Sequence, residues 1–226
     1  MQCQCRDNSR RYKDLLIRRK DYNLSEIDRL FLEQLIKSGN VEVCGEMKLL
    51  IASDIHGSAH YCEKLLSAFK KEGAGRILLL GDILYHGPRN DLPLEYAPKR
   101  VAAMLNEYKN KILCVRGNCE AEVDQMMLDF PVLADYAVVL WENRLIYATH
   151  GHVFNEGKLP PISKGDILLC GHTHVPALNV HEDFIYMNPG SVSIPKENSR
   201  NGYMTAEGGC FLWKDFSGEI LKRYEL

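Results

Sequence analysis

The sequence predicts an α/β fold in which two β-sheets pack face to face with helices outside them. Between residues 48 and 115, strand-like apolar runs alternate with helical patterns, which implies right-handed crossovers and parallel strands. From residue 137 onward short strand-like runs dominate, with Asn143 and Gly218 supplying turns. At 226 residues with 46% hydrophobic content, the chain is long enough to bury one main core and carry a small appendage.

The appendage is residues 1–46, which are charged and only partly helical in pattern. Ser25 followed by Asp28 resembles a capping box. Ile27, Leu30, Phe31 and Leu35 then share one face, and Gly39 can end the helix. The spacing therefore predicts a helix over Glu26–Ser38 whose apolar face packs on the main domain or on another subunit. Residues 47–226 form the main domain. Lys48–Ala52 reads as its first buried strand. Cys62, Leu65, Leu66 and Phe69 share a helical face closed by Gly73. Ile77–Leu80 is a second strand. Val101, Met104, Leu105 and Tyr108 mark a second helix, and Ile112–Val115 a third strand. The strand candidates that follow are Ala137–Trp141, Arg144–Thr149, Ile167–Cys170, Ala177–Val180, Phe184–Met187 and Cys210–Lys214.

Composition excludes several classes. A formal charge of −2 exerts no global pull toward nucleic acid or membrane. No apolar run approaches the roughly 20 residues that span a bilayer. The eight cysteines are scattered and several sit in apolar runs, as small hydrophobes do, so a reduced, cytoplasmic protein is expected. Arg10, Arg11, Arg18 and Arg19 lead into no signal-like apolar stretch.

Polar residues of one chemical kind follow the strand-like runs. They are Asp54-x-His56, Gly81-Asp82, Gly117-Asn118-Cys119-Glu120, Thr149-His150-Gly151-His152 and Gly171-His172-Thr173-His174. Side chains at the carboxyl ends of parallel strands can converge on one point. If the strand continued, alternation would send Asp54 and His56 to the same side, toward one cation. A carboxylate has two oxygens, so Asp82 can bridge two cations. Each motif alone has a bland reading as a cap, a turn or a surface histidine, but the five together in this order do not. The donors are mixed oxygen and imidazole, which suits Mn²⁺, Fe²⁺ or Zn²⁺ more than Ca²⁺ and argues against a structural cysteine–zinc site.

These motifs, with Gly81–Asn90, Arg116–Gln125 and Asn188–Lys196, resemble the calcineurin-like metallophosphoesterase superfamily, and within it the small YfcE-type phosphodiesterases. The resemblance runs from Met47 to about Tyr224 and leaves residues 1–46 outside. It implies a four-layer αββα sandwich of two mixed β-sheets. It also implies one metal held by Asp54, His56, Asp82 and His174 and a second by Asp82, Asn118, His150 and His172. The expected cofactors are two divalent ions, Mn²⁺ first, with Fe²⁺, Zn²⁺ or Ni²⁺ as alternatives. The expected reaction is attack on a small phosphodiester by a hydroxide bridging those ions. Cys119 stands where most members carry a histidine assigned as general acid. Arg116 and Arg89 are candidates to grip phosphate oxygens, and His86 and His152 to contact substrate or donate a proton. Asn188–Lys196 reads as a fixed loop without chemistry. A phosphomonoesterase and a non-catalytic scaffold of the same fold are the competing readings. A scaffold is expected to lose site residues, whereas here all seven ligand positions carry competent side chains. A homo-oligomer stays open.

Overall fold

A computed structural model describes residues 48–226; the Glu26–Ser38 helix lies outside the described residues. The β-α-β-α-β half forms as its pattern predicts. Strand β1 (Leu49–Ala52) leads to α1 (Ala59–Glu72), β2 (Arg76–Leu79), α2 (Pro98–Asn106) and β3 (Ile112–Cys114). Ser58 caps α1 by accepting from the Tyr61 N–H, and Gly73 ends it at φ 64°. The apolar face of α1, built from Cys62, Leu65, Leu66 and Phe69, is the buried one.

A six-residue helix, α3 (Glu122–Met127), precedes the strand-rich half. That half contains β4 (Tyr136–Trp141), β5 (Arg144–Thr149), β6 (Asp166–Leu169), β7 (Pro176–Val180), β8 (Phe184–Pro189), β9 (Gly202–Glu207), β10 (Cys210–Asp215) and β11 (Ile220–Glu225). The first sheet runs β11-β10-β9-β1-β2-β3 and the second β4-β5-β6-β8-β7. Both are mixed: β1, β2 and β3 are parallel, as are β5, β6 and β8, with antiparallel strands at their flanks. The expected α/β fold of two mixed sheets is therefore found. Strands β9 and β11 and helix α3 are additions to the elements the sequence predicted.

Strand alternation divides the burial between two cores. Leu50, Ala52, Ile77 and Leu79 face α1 and α2, where they meet Leu65, Phe69, Val101 and Leu105. Leu49, Ile51, Leu78 and Leu80 point the other way and meet Ile146, Ile167, Leu169 and Met187 of the second sheet. The first sheet is thus apolar on both faces, and truncating one of its buried leucines to alanine costs about 2–5 kcal/mol. On the far face of the second sheet, Leu168, Cys170, Phe184 and Tyr186 are covered by loop, with Ile162 packed among them. Among the described residues Cys62, Cys114, Cys119, Cys170 and Cys210 are free thiols, and no helix is long and apolar enough to cross a membrane.

One ion cluster ties α1 to the first sheet. Glu72 accepts from Lys214 Nζ at 2.9 Å through both carboxylate oxygens and from the Tyr203 hydroxyl at 3.0 Å, and it pairs with Lys48 at 2.9 Å. Burial opposes its ionisation, but Lys214, Lys48 and Tyr203 outweigh that and bring the carboxyl from 4.5 down to about 2. Its stabilising contribution is therefore complete above the unfolded-chain value and fades as pH falls toward 2. Glu72→Gln is expected to lower unfolding stability by about 1–2 kcal/mol at pH 7. In urea titrations, the gap from wild type should narrow between pH 4.5 and pH 3; a gap that widens on acidification would contradict this account.

Candidate metal centre

The polar motifs all sit just past strand carboxyl ends. Asp54 and His56 follow β1, Asp82 follows β2, Asn118 follows β3, His150 follows β5, and His172 and His174 follow β6. The loops after β1 and β2 run side by side, joined by Asp54 N–H to Gly81 O at 3.1 Å and His56 N–H to Asp82 O at 2.9 Å. The loops of the second sheet are joined by Gly171 N–H to His150 O at 2.8 Å.

The convergence of Asp54 and His56 has a different cause from the strand pleat that the sequence suggested. Strand β1 ends at Ala52, and both residues are left-handed, with φ of 60° and 48°. Asp82, His172 and His174 are left-handed as well, at 54°, 68° and 62°. Left-handed backbone is uncommon for residues other than glycine and costs on the order of 1–3 kcal/mol each. Five of the seven candidate ligands thus occupy a conformation the surrounding structure must impose.

The side chains meet at close range and are largely buried. His174 Nε2 lies 3.2 Å and His56 Nε2 3.5 Å from Asp54 Oδ1, and these two nitrogens are 3.3 Å apart. Asp82 Oδ2 lies 3.6 Å from His56 Nε2 and 3.5 Å from His150 Nε2. His150 Nε2 is 3.0 Å from Asn118 Oδ1 and 3.2 Å from His172 Nδ1. Asp82 therefore stands between an Asp54–His56–His174 group and an Asn118–His150–His172 group.

Backbone contacts fix which ring nitrogen faces inward. The Nδ1 atoms of His56, His150 and His174 lie 2.7–2.8 Å from the carbonyls of Tyr85, Leu80 and Ile194. A carbonyl only accepts, so each Nδ1 carries a proton, and Nε2 is the nitrogen turned inward, where it can ligate a cation. Each carboxylate has one oxygen already engaged, Asp54 Oδ2 by the His172 N–H at 3.1 Å and Asp82 Oδ1 by the Cys119 N–H at 2.9 Å. Asp54 Oδ1 is buried and has no hydrogen-bond donor. Electron-rich atoms facing one another in a buried space suit a cation.

The groups are also strongly coupled: without a cation, positive charge on the rings is what holds the Asp54 carboxylate ionised. Burial would raise the Asp54 carboxyl, but His174 and His56 outweigh it and hold the group well below its ordinary range. Burial lowers His56, but Asp54, Tyr85 O and Asp82 outweigh it and leave the ring raised. Burial and His150 lower His172.

Two supports had no role in the sequence reading. Glu120 accepts from the backbone N–H groups of Asp82, Ile83 and Gly117 at 2.9, 2.7 and 2.5 Å, holding the turn that carries Asp82. Burial and Asp82 raise its carboxyl to about 7 despite those three donors. The Asn188–Lys196 loop is a brace: Ser191 and Ser193 hydroxyls donate to Asp54 O at 2.9 and 3.1 Å, and Asn188 Nδ2 donates to Gly171 O at 2.7 Å. A serine hydroxyl reaching a distant carbonyl leaves no spacing signal.

The remaining candidates divide. Cys119 Sγ lies with ligand atoms of His56 and Asp82, all within 4.8 Å of one another. The His152 ring is 5.4 Å from that of His150, and its Nδ1 is buried without a partner. Burial, His150 and Arg116 lower His152, so the exposed Arg116 is near enough to act on it. The His86 ring lies edge-on to Tyr85 and Tyr96, and its Nδ1 is buried without a partner.

The chain's similarities match this geometry. The calcineurin-like phosphoesterase superfamily domain matches residues 47–208. Phosphodiesterase YfcE of Escherichia coli strain K12 is 48% identical over 157 residues, covering 70% of this chain and 85% of that one. A solved structure of E. coli YfcE, described as a phosphoesterase, superposes with a TM-score of 0.77 at 42% identity, over 79% of this chain and 99% of that one. Vacuolar Protein Sorting 29 from Cryptosporidium parvum shares the fold at a TM-score of 0.54 and 15% identity, over 81% of this chain and 100% of that one.

Gly117 tests the crowding around Asp82. A Cβ there would overlap the Asp82 carboxylate and the Glu120 carboxylate. Gly117→Ala is expected to weaken divalent-ion binding by at least about 10-fold, read by calorimetric titration, with stability reduced by about 1–3 kcal/mol. Unchanged ion affinity would show that Asp82 is free to move aside.

Proposed function

This chain belongs to the calcineurin-like phosphoesterase superfamily, and from that premise we propose that it is a hydrolase cleaving small phosphodiesters with two divalent cations. The observation that carries the reading is the buried set of inward acceptor atoms around Asp82, with Asp54 Oδ1 lacking any donor. On this reading Asp54, His56, Asp82 and His174 hold one ion, and Asp82, Asn118, His150 and His172 hold the other. Mn²⁺ is the first candidate, and Fe²⁺, Zn²⁺ and Ni²⁺ fit the same donor set. When bound, such ions neutralise phosphoryl charge and make water acidic enough to supply a nucleophile near neutral pH.

The chain's own groups do the positioning. Glu120 fixes the Asp82 turn, and the backbone carbonyls of Tyr85, Leu80 and Ile194 fix the imidazoles. His152, beside His150 and lowered by burial, is a candidate to contact a phosphoryl oxygen, and the exposed Arg116 can take a second oxygen. The Cys119 thiol is raised by burial and by Asp82, so it keeps its proton. It is a weaker acid toward a departing alkoxide than an imidazole would be. Diesters with stable leaving groups, such as aryl phosphodiesters, are therefore the favoured substrates, and alkyl monoesters are slow.

Calorimetric titration of chelator-stripped protein is expected to show two Mn²⁺ sites, and Mn²⁺ should restore diester hydrolysis. Asp82→Asn should disturb both sites and reduce turnover by about 100-fold or more. Full activity after chelation, or two normal sites in Asp82→Asn, would overturn the two-ion reading. For Cys119→His, the ratio of monoester to diester hydrolysis should rise by about 10-fold or more. An unchanged ratio would mean that Cys119 merely fills space.

A further inference from the structure

An apolar pocket of about 370 Å³ opens beside the donors, and of its lining only Cys119 has a part in the chemistry described above. Its walls include Leu84, Tyr85, Tyr96, Val123 and Met127, and Cys119 belongs both to this wall and to the group with His56 and Asp82. A molecule whose phosphate met the donors can therefore reach the pocket by way of Cys119. Three large apolar wall residues are left open to water: Tyr85 at 42%, Val123 at 61% and Met127 at 41% exposure. Apolar side chains exposed around one hollow mark a binding surface. The aromatic wall is stiffened from behind, where the His86 ring lies edge-on to Tyr85 at 4.8 Å and to Tyr96 at 5.1 Å.

The lining also selects against polar occupants. Of the polar atoms in the wall, Asp124 Oδ2 already accepts from the Ala121 N–H at 2.7 Å. A sugar ring would bring more hydroxyls than the few polar atoms of this largely apolar wall can pair. A cationic headgroup would meet Lys99, which lines the same pocket. A flat apolar ring matches the walls and can stack against Tyr85 or Tyr96.

We propose that this pocket is the subsite for an apolar aryl substituent of the phosphoester substrate, with Tyr85, Tyr96, Val123 and Met127 as its specificity-determining residues. The proposal rests on the phosphodiesterase reading for where the phosphate lies. It is tested by calorimetric titration of the Mn²⁺-loaded full chain with phenylphosphonate and with methylphosphonate, which share a headgroup and differ in the ring. Phenylphosphonate should bind about 10-fold tighter or more. In Val123→Asp and in Met127→Asp, both changes at exposed positions, the ratio of the two affinities should fall toward one. Equal affinities in the wild type, or an unchanged ratio in both variants, would overturn the subsite. Diester hydrolysis is measured alongside. Hydrolysis without a phenyl preference sinks the subsite alone, whereas a phenyl preference without hydrolysis supports the subsite and sinks the catalytic reading.

Discussion

The structure is governed by the need to hold acceptor atoms against one another where water is scarce. Two carboxylates and the lone-pair sides of neighbouring imidazoles repel one another unless protons or cations stand between them, and their burial is unfavourable without that positive charge. The backbone supplies the restraint. Asp54, His56, Asp82, His172 and His174 are bent into left-handed conformations, and neighbouring carbonyls clamp the outer nitrogens of three rings. Gly117 leaves room for the Asp82 carboxylate and Gly171 for the Ser53 side chain and the Asp54 carboxylate, because a side chain at either position would overlap them.

What offsets that cost lies away from the site. The first sheet is apolar on both faces, so its parallel strands are gripped by helices on one side and by the second sheet on the other. Rigid strands then present their ends at fixed spacing, and only the few residues beyond each end need unusual geometry. Glu120 and the Ser191–Ser193 pair extend that rigidity into the loops. The same division separates functions within the Gly117–Glu120 stretch: Asn118 faces the donors, Glu120 supports them from behind, and Cys119 borders the apolar pocket.

Most of this was legible in the sequence where a residue type and its location imply the same thing. Continuous apolar runs such as Ile77–Leu80 and Ile167–Cys170 gave strands, and a donor after each run gave the site. The missed strands fail that rule in opposite ways. Strand β9 is buried through its first five residues yet contains Gly202 and Thr205, while β11 is an exposed edge with no buried stripe. Strand alternation would also have sent Asp54 and His56 the same way, and nothing in D-x-H distinguishes it from the left-handed turn that forms. Glu120 went without a role because its partners at Asp82 and Ile83 are 38 and 37 residues away. The Val123–Met127 wall sits on a six-residue helix too short for a periodic signal.

The donors are shared between the sheets: Asp54, His56, Asp82 and Asn118 follow strands of the first, and His150, His172 and His174 follow strands of the second. A guest gripped by both sets is held by the closed sandwich and by neither sheet alone. Its binding free energy therefore adds directly to the adhesion between the two sheets. Loading and folding become coupled: an occupied centre works as a rivet through the inter-sheet core, and the empty protein should breathe most readily along that seam.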